Sequence, residues 1–420
     1  MKRSPLLVIF VTVFIDLIGF GIVIPVLPYY VEGTKFNATP RAVGLLFASY
    51  SVMQLIFTPI LGRLSDRYGR RPVLFLSLLG TSLGFMILGF ATTLWMLFAG
   101  RIIDGITGGN ISTAQAYIAD VTTKEERAKG MGLIGAAFGL GFTFGPAIGG
   151  ILSKWGISVP FIFAGAMALG NAVLLYFTLP ETVTPDHPAR ESAATGRWSQ
   201  LAAALRQPRL TYVLVIYFLF VVAFSIMTAS FALFTMYRFG YDPVHNGYIF
   251  MYVGIIGALI QGGLIGRLAK RFGELPLVIT GAFCFALALL AIPLMSPGMG
   301  LVALLGVGGL FGVGNSLATP SLQTLASKSA GAGEQGGVLG VVQSVASLAR
   351  AVGPSLAAWL IYSAVSVAGA RVPHMSDQSV ERTFWAAAGI MFLAFLLAAY
   401  FAKAHAAEYP HGETASATGD

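Results

Sequence analysis

The sequence predicts an all-α integral membrane protein with twelve transmembrane helices in two six-helix, pseudo-symmetric bundles. Hydrophobic residues make up 56% of the 420 residues and charged residues only 10%, whereas an average soluble domain is about 25% charged. Twelve apolar stretches have the length of about 20 residues that a helix needs to cross a hydrocarbon layer. A basic segment recurs between two apolar stretches in each half, at residues 62–71 and 266–273. These observations together indicate a duplicated helical bundle.

The apolar stretches follow one another along the chain with short connections. Their centres lie near residues 17, 51, 83, 106, 142, 169, 223, 257, 285, 312, 350 and 393. The first stretch begins at Leu6 and has no small-residue cleavage site behind it, so we read it as a retained helix and not as a signal peptide.

The only long polar connection divides the chain near its middle. We therefore predict four parts: an amino-terminal six-helix bundle, a cytoplasmic linker, a carboxy-terminal six-helix bundle and a disordered cytoplasmic tail, at residues 1–180, 181–209, 210–403 and 404–420. Within the linker, Trp198, Leu201 and Leu205 fall at helical spacing. This spacing fits either a short amphipathic surface helix or a flexible linker with scattered apolar residues.

The basic residues predict the orientation of the chain. If the stretches alternate in direction, most of the 26 Lys and Arg residues fall on one side of the membrane. The positive-inside rule makes that side cytoplasmic and puts both termini there, in a multi-pass protein of the cell inner membrane. The net charge of +8 reflects this asymmetry, so a nucleic-acid partner is not indicated.

The first basic segment combines glycines, arginines and one acid. Its candidate gate residues are Gly62, Asp66, Arg67, Gly69, Arg70 and Arg71. The arginines need no explanation beyond the positive-inside rule, but acids contribute little to orientation, so Asp66 points to a specific contact. The second copy has Lys270 where the aspartate would stand.

Two aspartates, Asp16 and Asp104, fall inside the predicted spans. A carboxylate at the bilayer centre costs at least about 2.5–3.5 kcal/mol on insertion scales, so a retained one usually faces the protein interior and has a function. Arg101 lies three residues before Asp104 and therefore shares its helix face. Either these residues are structural, as a hydrogen-bonded anchor and an intrahelical ion pair, or the carboxylates form a proton or substrate site and Arg101 exchanges between Asp104, Asp16 and substrate.

The fifth predicted span has a glycine-rich pattern around one proline. Its members are Gly141, Gly145, Pro146, Gly149 and Gly150. The glycines allow two helix backbones to approach closely, and the proline bends the helix. The pattern suits a seal that opens as the two halves move, or simple small-residue packing.

These motifs resemble those of the major facilitator superfamily, and within it the twelve-span drug:H⁺ antiporters, with tetracycline efflux proteins the most similar in appearance. The resemblance is carried by the basic segment, the fifth-span pattern, and residues 16–21 and 101–108. It implies the major facilitator fold, a cytoplasmic latch at Asp66, and proton coupling at Arg101. It also implies that the glycine-rich fifth span is an antiporter motif.

A central substrate cavity is predicted from aromatic, Met and polar residues inside the spans. Its candidates are Asn110, Gln115, Phe220, Phe224, Met227, Phe231, Gln261, Asn315, Gln343 and Arg350. Aromatic walls with few polar anchors suit bulky lipophilic molecules, although such stripes are as often ordinary packing. Arg350 either binds an anionic group of the substrate or serves as a structural counterion.

We therefore predict a proton-coupled efflux antiporter, monomeric, with a small lipophilic compound, protons and the lipid bilayer as partners. It is expected to be neither an enzyme nor a binder of cofactor or metal, since no Walker phosphate loop exists and all five histidines fall outside the spans. The alternatives are a sugar or metabolite exporter, a symporter, or a non-transporting receptor. Similar tetracycline pumps carry carboxylates where this chain has Gly84 and Gly281, which puts tetracycline itself in doubt.

Overall fold

The computed structural model describes residues 5–33, 36, 38–182, 206–329, 335–361, 363–367, 370–374 and 376–404. Long helices dominate these residues, as expected where every backbone polar group must be satisfied without water. The predicted amphipathic linker helix and the predicted disordered tail lie outside the described residues.

The described amino-terminal half consists of helices that follow the first six predicted stretches. They are α1 (Pro5–Glu32), α2 (Pro40–Tyr68), α3 (Arg70–Gly89), α4 (Leu94–Thr107), α5 (Asn110–Val121), α6 (Lys124–Leu152) and α7 (Val159–Thr178), with a 3₁₀ turn at Ser153–Trp155. The fourth span is interrupted, because α4 ends and α5 begins on either side of Gly108 and Gly109.

The carboxy-terminal half repeats this arrangement. Its helices are α8 (Pro208–Phe239), α9 (Pro243–Leu259), α10 (Ile265–Phe272), α11 (Glu274–Ala291), α12 (Gly300–Lys328), α13 (Gln335–Leu360) and α14 (Asp377–Ala404), with 3₁₀ turns at Ile292–Leu294 and Pro297–Met299. A π-helical turn, Ile260–Leu264, joins α9 to α10 in the eighth span. Such turns inside a helix are frequent at functional sites.

These helices confirm the predicted membrane fold. Ten helical segments of the described chain are long and apolar enough to cross a membrane. The interrupted pair α4–α5 and helix α13 supply the fourth and eleventh spans, which completes the predicted twelve. We number the spans in chain order, so the seventh is α8, the eighth α9 with α10, and the eleventh α13.

One element was not predicted. Strands β1 (Ser363–Val367) and β2 (Ala370–His374) form an antiparallel hairpin between the eleventh and twelfth spans, with Ser363 opposite His374. Strands of five residues in a connection leave no signal among apolar stretches of helix length, so the hairpin was not predicted.

The two bundles meet along two seams, the second span against the eleventh and the fifth against the eighth. In the fifth–eighth seam, a Cβ atom added to Gly150 would lie 2.7 Å from the carbonyl oxygen of Pro243. In the other seam, a Cβ atom on Gly44 would lie 2.8 Å from the carbonyl oxygen of Pro354. The backbones are therefore in direct contact at this end of the molecule, which we call the closed end.

The opposite end, where the basic segment lies, is open. Near this end, several glycines of the fifth, eighth and eleventh spans have open space beside them, so that an added Cβ atom would meet nothing within 4 Å. They are Gly132, Gly135, Gly139, Gly262, Gly263, Gly266 and Gly340. The same two seams are therefore packed at one end and parted at the other. We call this the basic-loop end.

Candidate functional site

A buried ion pair lies on the fourth span. The guanidinium Nη1 of Arg101 is 3.0 Å from Oδ2 of Asp104, and the arginine side chain is fully buried. Its Nε and Nη2 atoms have no hydrogen-bond partner in the described chain. Because a buried charge is costly unless its donors are satisfied, this arginine keeps bonding capacity for a further group.

The second span supports this pair from the side. The ring of Tyr50 lies under the guanidinium group of Arg101, 4.2 Å from its carbon to the ring centroid. One turn further along, the Gln54 amide donates to the Tyr50 hydroxyl at 3.0 Å and to the carbonyl oxygen of Gly108 at 2.9 Å. Gln54 thus ties the second span to the break in the fourth.

Asp16 joins the same cluster from the first span. Its carboxyl group lies within interaction range of the Asn110 side chain and of the Asp104 carboxylate. Asn110 begins α5 directly after the break, and its amide oxygen accepts the backbone N–H of Ile111 at 2.8 Å. Its amide nitrogen is buried without a partner in the described chain. The structure therefore brings the three predicted proton-coupling residues together.

Arg350 lies on the eleventh span, in the carboxy-terminal bundle. Its charge interacts with the phenol groups of Tyr217 and Tyr50, and its Nη2 atom donates weakly to Ser347 at 3.3 Å. Gln323 reaches the Tyr217 hydroxyl at 3.4 Å. Among the described residues no acid pairs with Arg350.

The predicted aromatic wall divides into core and cavity residues. Phe220 is buried and packs edge-on against Phe285, so it belongs to the core. Phe224 keeps partial exposure although its neighbours from Phe220 to Thr235 are otherwise buried. Met227 and Phe231 line an apolar pocket between the seventh, eighth, ninth and tenth spans.

The remaining predicted cavity residues are polar. Gln115, Asn315 and Gln343 are partly buried, whereas Gln261 is exposed on the π-helical turn. The side-chain oxygen of Asn315 accepts a hydrogen bond from Thr319 at 3.1 Å, one turn along its own helix. These residues do not form a single cluster in the described conformation.

Hydrogen bonds join the two bundles at the closed end. The Tyr29 hydroxyl donates to the carbonyl oxygen of Tyr241 at 2.7 Å and accepts from Asn246 at 2.5 Å. The Tyr237 hydroxyl donates to the carboxylate of Glu32 at 2.5 Å. The first span is thereby tied to the seventh and eighth.

Asp242 begins the eighth span at this end. Its side chain accepts the backbone N–H of His245 at 2.9 Å and so caps the helix. Partial burial acts to raise the pKa of the Asp242 carboxyl group, but the hydrogen bonds from the backbone and ring of His245 outweigh it and hold the pKa below its usual value.

The glycine-rich motif of the fifth span lies at the closed end and packs on two helices. Added Cβ atoms on three of its glycines would contact the first span. The Cβ atom on Gly141 would lie 2.5 Å from Cβ of Leu17, and those on Gly145 and Gly149 would lie 2.8 Å and 2.9 Å from the carbonyl oxygens of Ile18 and Ile22. Pro146 lies within the same helix. The motif thus holds the first span on one side and, through Gly150, the eighth on the other.

The basic segment forms an ion network within the amino-terminal bundle. Arg70 pairs with Asp66, contacts Asp120 at 3.0 Å and donates to Ser65 at 2.7 Å. The Ser65 hydroxyl in turn donates to the Gly62 carbonyl oxygen at 2.8 Å. In this conformation the Asp66 carboxylate is therefore held by its own bundle.

A second carboxylate caps the third span. Glu181 accepts the backbone N–H groups of Arg70 and Arg71 at 2.9 and 3.0 Å, where the amino terminus of a helix favours an anion. Gly69 adopts φ 105°, and a Cβ atom there would lie 2.5 Å from this carboxylate. Arg71 lies over the Tyr176 ring, whereas Arg67 is exposed.

Several residues of these clusters were not predicted, among them Tyr50, Gln54, Asp120, Glu181 and Glu32. Tyr50 and Gln54 carry a usable signal, because they are four residues apart and so share one face of an apolar span. Asp120 and Glu181 stand out as acids on the side rich in basic residues. No comparable pattern marks Glu32, which ends a helix where polar residues are common.

Comparison with protein families matches residues 9–354 and 264–418 to the Major Facilitator Superfamily. The tetracycline resistance protein of class H from Pasteurella multocida is 32% identical over 414 residues, which covers 96% of each chain. Multidrug resistance protein 2 of Bacillus subtilis (strain 168) is 31% identical over 358 residues, covering 84% of this chain and 88% of that protein.

Among solved structures, the human organic anion transporter MFSD10 (TETRAN) is similar in fold. Its TM-score is 0.69 at 26% sequence identity, and the match covers 94% of this chain and 99% of that chain.

Proposed function

Because the chain belongs to the major facilitator superfamily, we propose that it is a proton-coupled antiporter that exports small lipophilic compounds across the cell inner membrane by alternating access. One observation carries this proposal: Asp16 and the Arg101–Asp104 pair form an intramembrane cluster in the amino-terminal bundle, and the two bundles are closed against each other at one end only. Relatives named for tetracycline and multidrug resistance support the class of substrate.

The basic-loop end faces the cytoplasm in this proposal. It carries the excess of Lys and Arg, and the positive-inside rule places such loops on the cytoplasmic side. The described conformation is then inward-facing, with the cavity open to the cytoplasm and sealed toward the outside. A single chain contains both bundles, so a monomer suffices for the transport cycle.

Proton binding at Asp16, with Asp104 as a second carboxylate, favours one facing state, and substrate favours the other. Arg101 has unsatisfied donors, so it can exchange between Asp104, Asp16 and the substrate. In the inward-facing state the cluster releases its proton and the substrate enters. Inward proton movement supplies about 2.3 kcal/mol per charge per 100 mV, in addition to the pH gradient.

The basic segment is the cytoplasmic gate of the cycle. In the inward-facing state, Arg70 holds Asp66 together with Asp120. In the outward-facing state, the Asp66 carboxylate latches onto the start of the eleventh span, where a helix amino terminus attracts an anion by about 0.3–1 kcal/mol. The fifth-span motif is the matching seal on the outside.

Proteoliposomes with an internal pH dye test the coupling. Wild type, Asp16→Asn and Glu381→Gln are compared with several lipophilic compounds of either charge and with tetracycline. Glu381 is an acid of the twelfth span for which the described residues show no contact to the cluster. Substrate-driven proton movement in wild type and Glu381→Gln, and its loss in Asp16→Asn, is the expected result. If coupled flux persists in Asp16→Asn, the proton site must be Asp104. Substrate flux without proton movement would contradict antiport, and protons that move in the same direction as the substrate would indicate symport.

A further inference from the structure

We infer that the exported compound carries an anionic group, such as a carboxylate, and that Arg350 binds it. This inference rests on the proposed function, since it names the substrate class of the same cavity. It starts from the contrast between the two arginines inside the spans. Arg101 has Asp104 at 3.0 Å, whereas the described residues give Arg350 only neutral oxygen atoms.

A charge inside a membrane protein requires compensation. An unpaired arginine in a span is costly and is retained where it meets a partner, a water-filled cavity or a ligand. Arg350 is partly buried and donates to Ser347 at 3.3 Å, and its charge lies within electrostatic range of the phenol groups of Tyr217 and Tyr50. Phenols and hydroxyls do not neutralise a guanidinium group, so the counter-charge is left to the ligand.

The helix crossing next to Arg350 shapes the pocket. A Cβ atom on Gly353 would lie 2.5 Å from Cβ of Ser225 and 2.8 Å from the Val222 carbonyl oxygen, so the eleventh and seventh spans touch here. Arg350 is one turn away on one helix, and Phe224 is adjacent on the other. The crossing therefore places Arg350 and the partly exposed Phe224 at similar depths in the membrane.

Phe224 provides an apolar surface for the rest of the molecule. Its ring lies 6.1 Å from that of Phe311 and 6.3 Å from that of Phe142, measured between centroids. Phe142 belongs to the fifth span, so this aromatic group joins the two bundles. Tyr217 lies seven residues before Phe224, two turns along the same helix face.

These contacts define an amphiphilic site. A planar guanidinium group binds a carboxylate through two parallel hydrogen bonds, and phenol hydroxyls on Tyr217 and Tyr50 can add donors. The aromatic body of the ligand then stacks on Phe224. A cationic compound would instead place its charge against Arg350, which repels it.

Binding of a matched set of probes tests the inference. Naphthaleneacetate, naphthaleneacetamide and naphthylethylamine share one aromatic body and differ in charge. Calorimetry with the purified full chain compares wild type, Arg350→Gln and Arg350→Lys. Arg267→Gln is the matched control, because Arg267 is an exposed arginine near the basic-loop end of the eighth span. Thermal unfolding shows that each variant is folded.

The carboxylate is expected to bind wild type and Arg267→Gln equally. Its affinity should fall about tenfold or more in Arg350→Gln, since a hydrogen bond to a charged group is lost, and should be partly retained in Arg350→Lys. Three results would overturn the inference. The amide or the amine binds as tightly as the carboxylate, the carboxylate affinity is unchanged in Arg350→Gln, or none of the probes binds.

Flux measurements separate this inference from the proposed function. Suppose that neutral or cationic compounds are exported with proton coupling and that Arg350→Gln does not change this export. The inference of an anionic substrate would then be wrong, and the proposed antiport function would stand. Carboxylate binding that depends on Arg350 would support the anion site. If substrate flux in the same protein moved no protons, antiport would be contradicted while the anion site stood.

Discussion

The guanidinium group of Arg101 lies against the face of Tyr50, 4.2 Å from the ring centroid, so a charge on the fourth span is held by the second span. Tyr50 also interacts with Asp16, Asp104 and Arg350. This one ring therefore lies within electrostatic range of both the proposed proton site in the amino-terminal bundle and the proposed anion site in the other.

Tyr50→Phe and Tyr50→Leu separate the ring from the hydroxyl group. The phenylalanine keeps the cation–π contact and loses only the hydrogen bond from Gln54, so a loss of about 0.5–1.5 kcal/mol in stability is expected. The leucine also loses the ring, which is worth about 2 kcal/mol when desolvated. Thermal unfolding and proton-coupled flux are measured for both.

We expect coupled flux to survive in Tyr50→Phe and to fall strongly in Tyr50→Leu. Equal activity in the two variants would show that the ring does not position Arg101.

Arg101→Met is expected to be strongly destabilising by itself, because it leaves Asp104 as an uncompensated buried charge at a cost of about 3–5 kcal/mol. The double variant Arg101→Met with Asp104→Leu removes both charges and should regain most of that stability. Proton coupling should remain absent in the double variant. Unfolding in detergent and dye-reported proton flux distinguish the two effects, and restored coupling would make the pair purely structural.

Much of the fold followed from the sequence, since a hydrocarbon layer demands about 20 apolar residues for each crossing and the basic segment marked the repeat. The Arg101–Asp104 pair followed from its spacing of three residues on a helix. Asp16 was singled out as an acid inside a span, but its position within electrostatic range of Asp104 depends on how the first and fourth spans pack.

Contacts between distant spans could not be predicted. Glu32 and Tyr237 are 205 residues apart, and their pairing depends on how two bundles dock. Phe220 and Phe224 have the same spacing signal on one helix, yet only packing decides that the first is core and the second faces the cavity. Periodicity reports which helix face is apolar but not what covers it.

The closed end should open more readily when its hydrogen bonds are removed. Tyr29→Phe and Tyr237→Phe each delete bonds that join the first span to the carboxy-terminal bundle. Each hydrogen bond contributes about 0.5–1.5 kcal/mol, so the ratio of closed to open states should fall roughly two- to twelvefold for each bond that is deleted.

Spin labels report this shift directly. Trp155→Cys and Met299→Cys, in a Cys284→Ser background, place labels at exposed positions on the two bundles near the closed end. A larger population of long distances is expected in both tyrosine variants. The control is Tyr400→Phe, whose side chain is exposed on the twelfth span; equal distance distributions in all three would show that these bonds do not hold the seal.

Gly84 marks a crossing of the third and fourth spans that has no room for a side chain. A Cβ atom there would lie 2.8 Å from the Gly100 carbonyl oxygen and 2.9 Å from Cβ of Asp104. Gly84→Ala should therefore cost about 1–3 kcal/mol through overpacking. Gly170→Ala is the matched control on the sixth span, where an added Cβ atom meets nothing within 4 Å. It should be neutral or stabilising by about 0.5–1 kcal/mol.

Gly84→Asp introduces the carboxylate that similar tetracycline pumps carry in the third span. Beside Asp104 it would add a like charge to the steric clash, so we expect lower thermal stability than in Gly84→Ala and no gain of tetracycline export. Unfolding temperatures and tetracycline flux in proteoliposomes measure the two outcomes. A stable Gly84→Asp protein that gained tetracycline transport would show that the crossing can yield and that this single carboxylate sets the specificity.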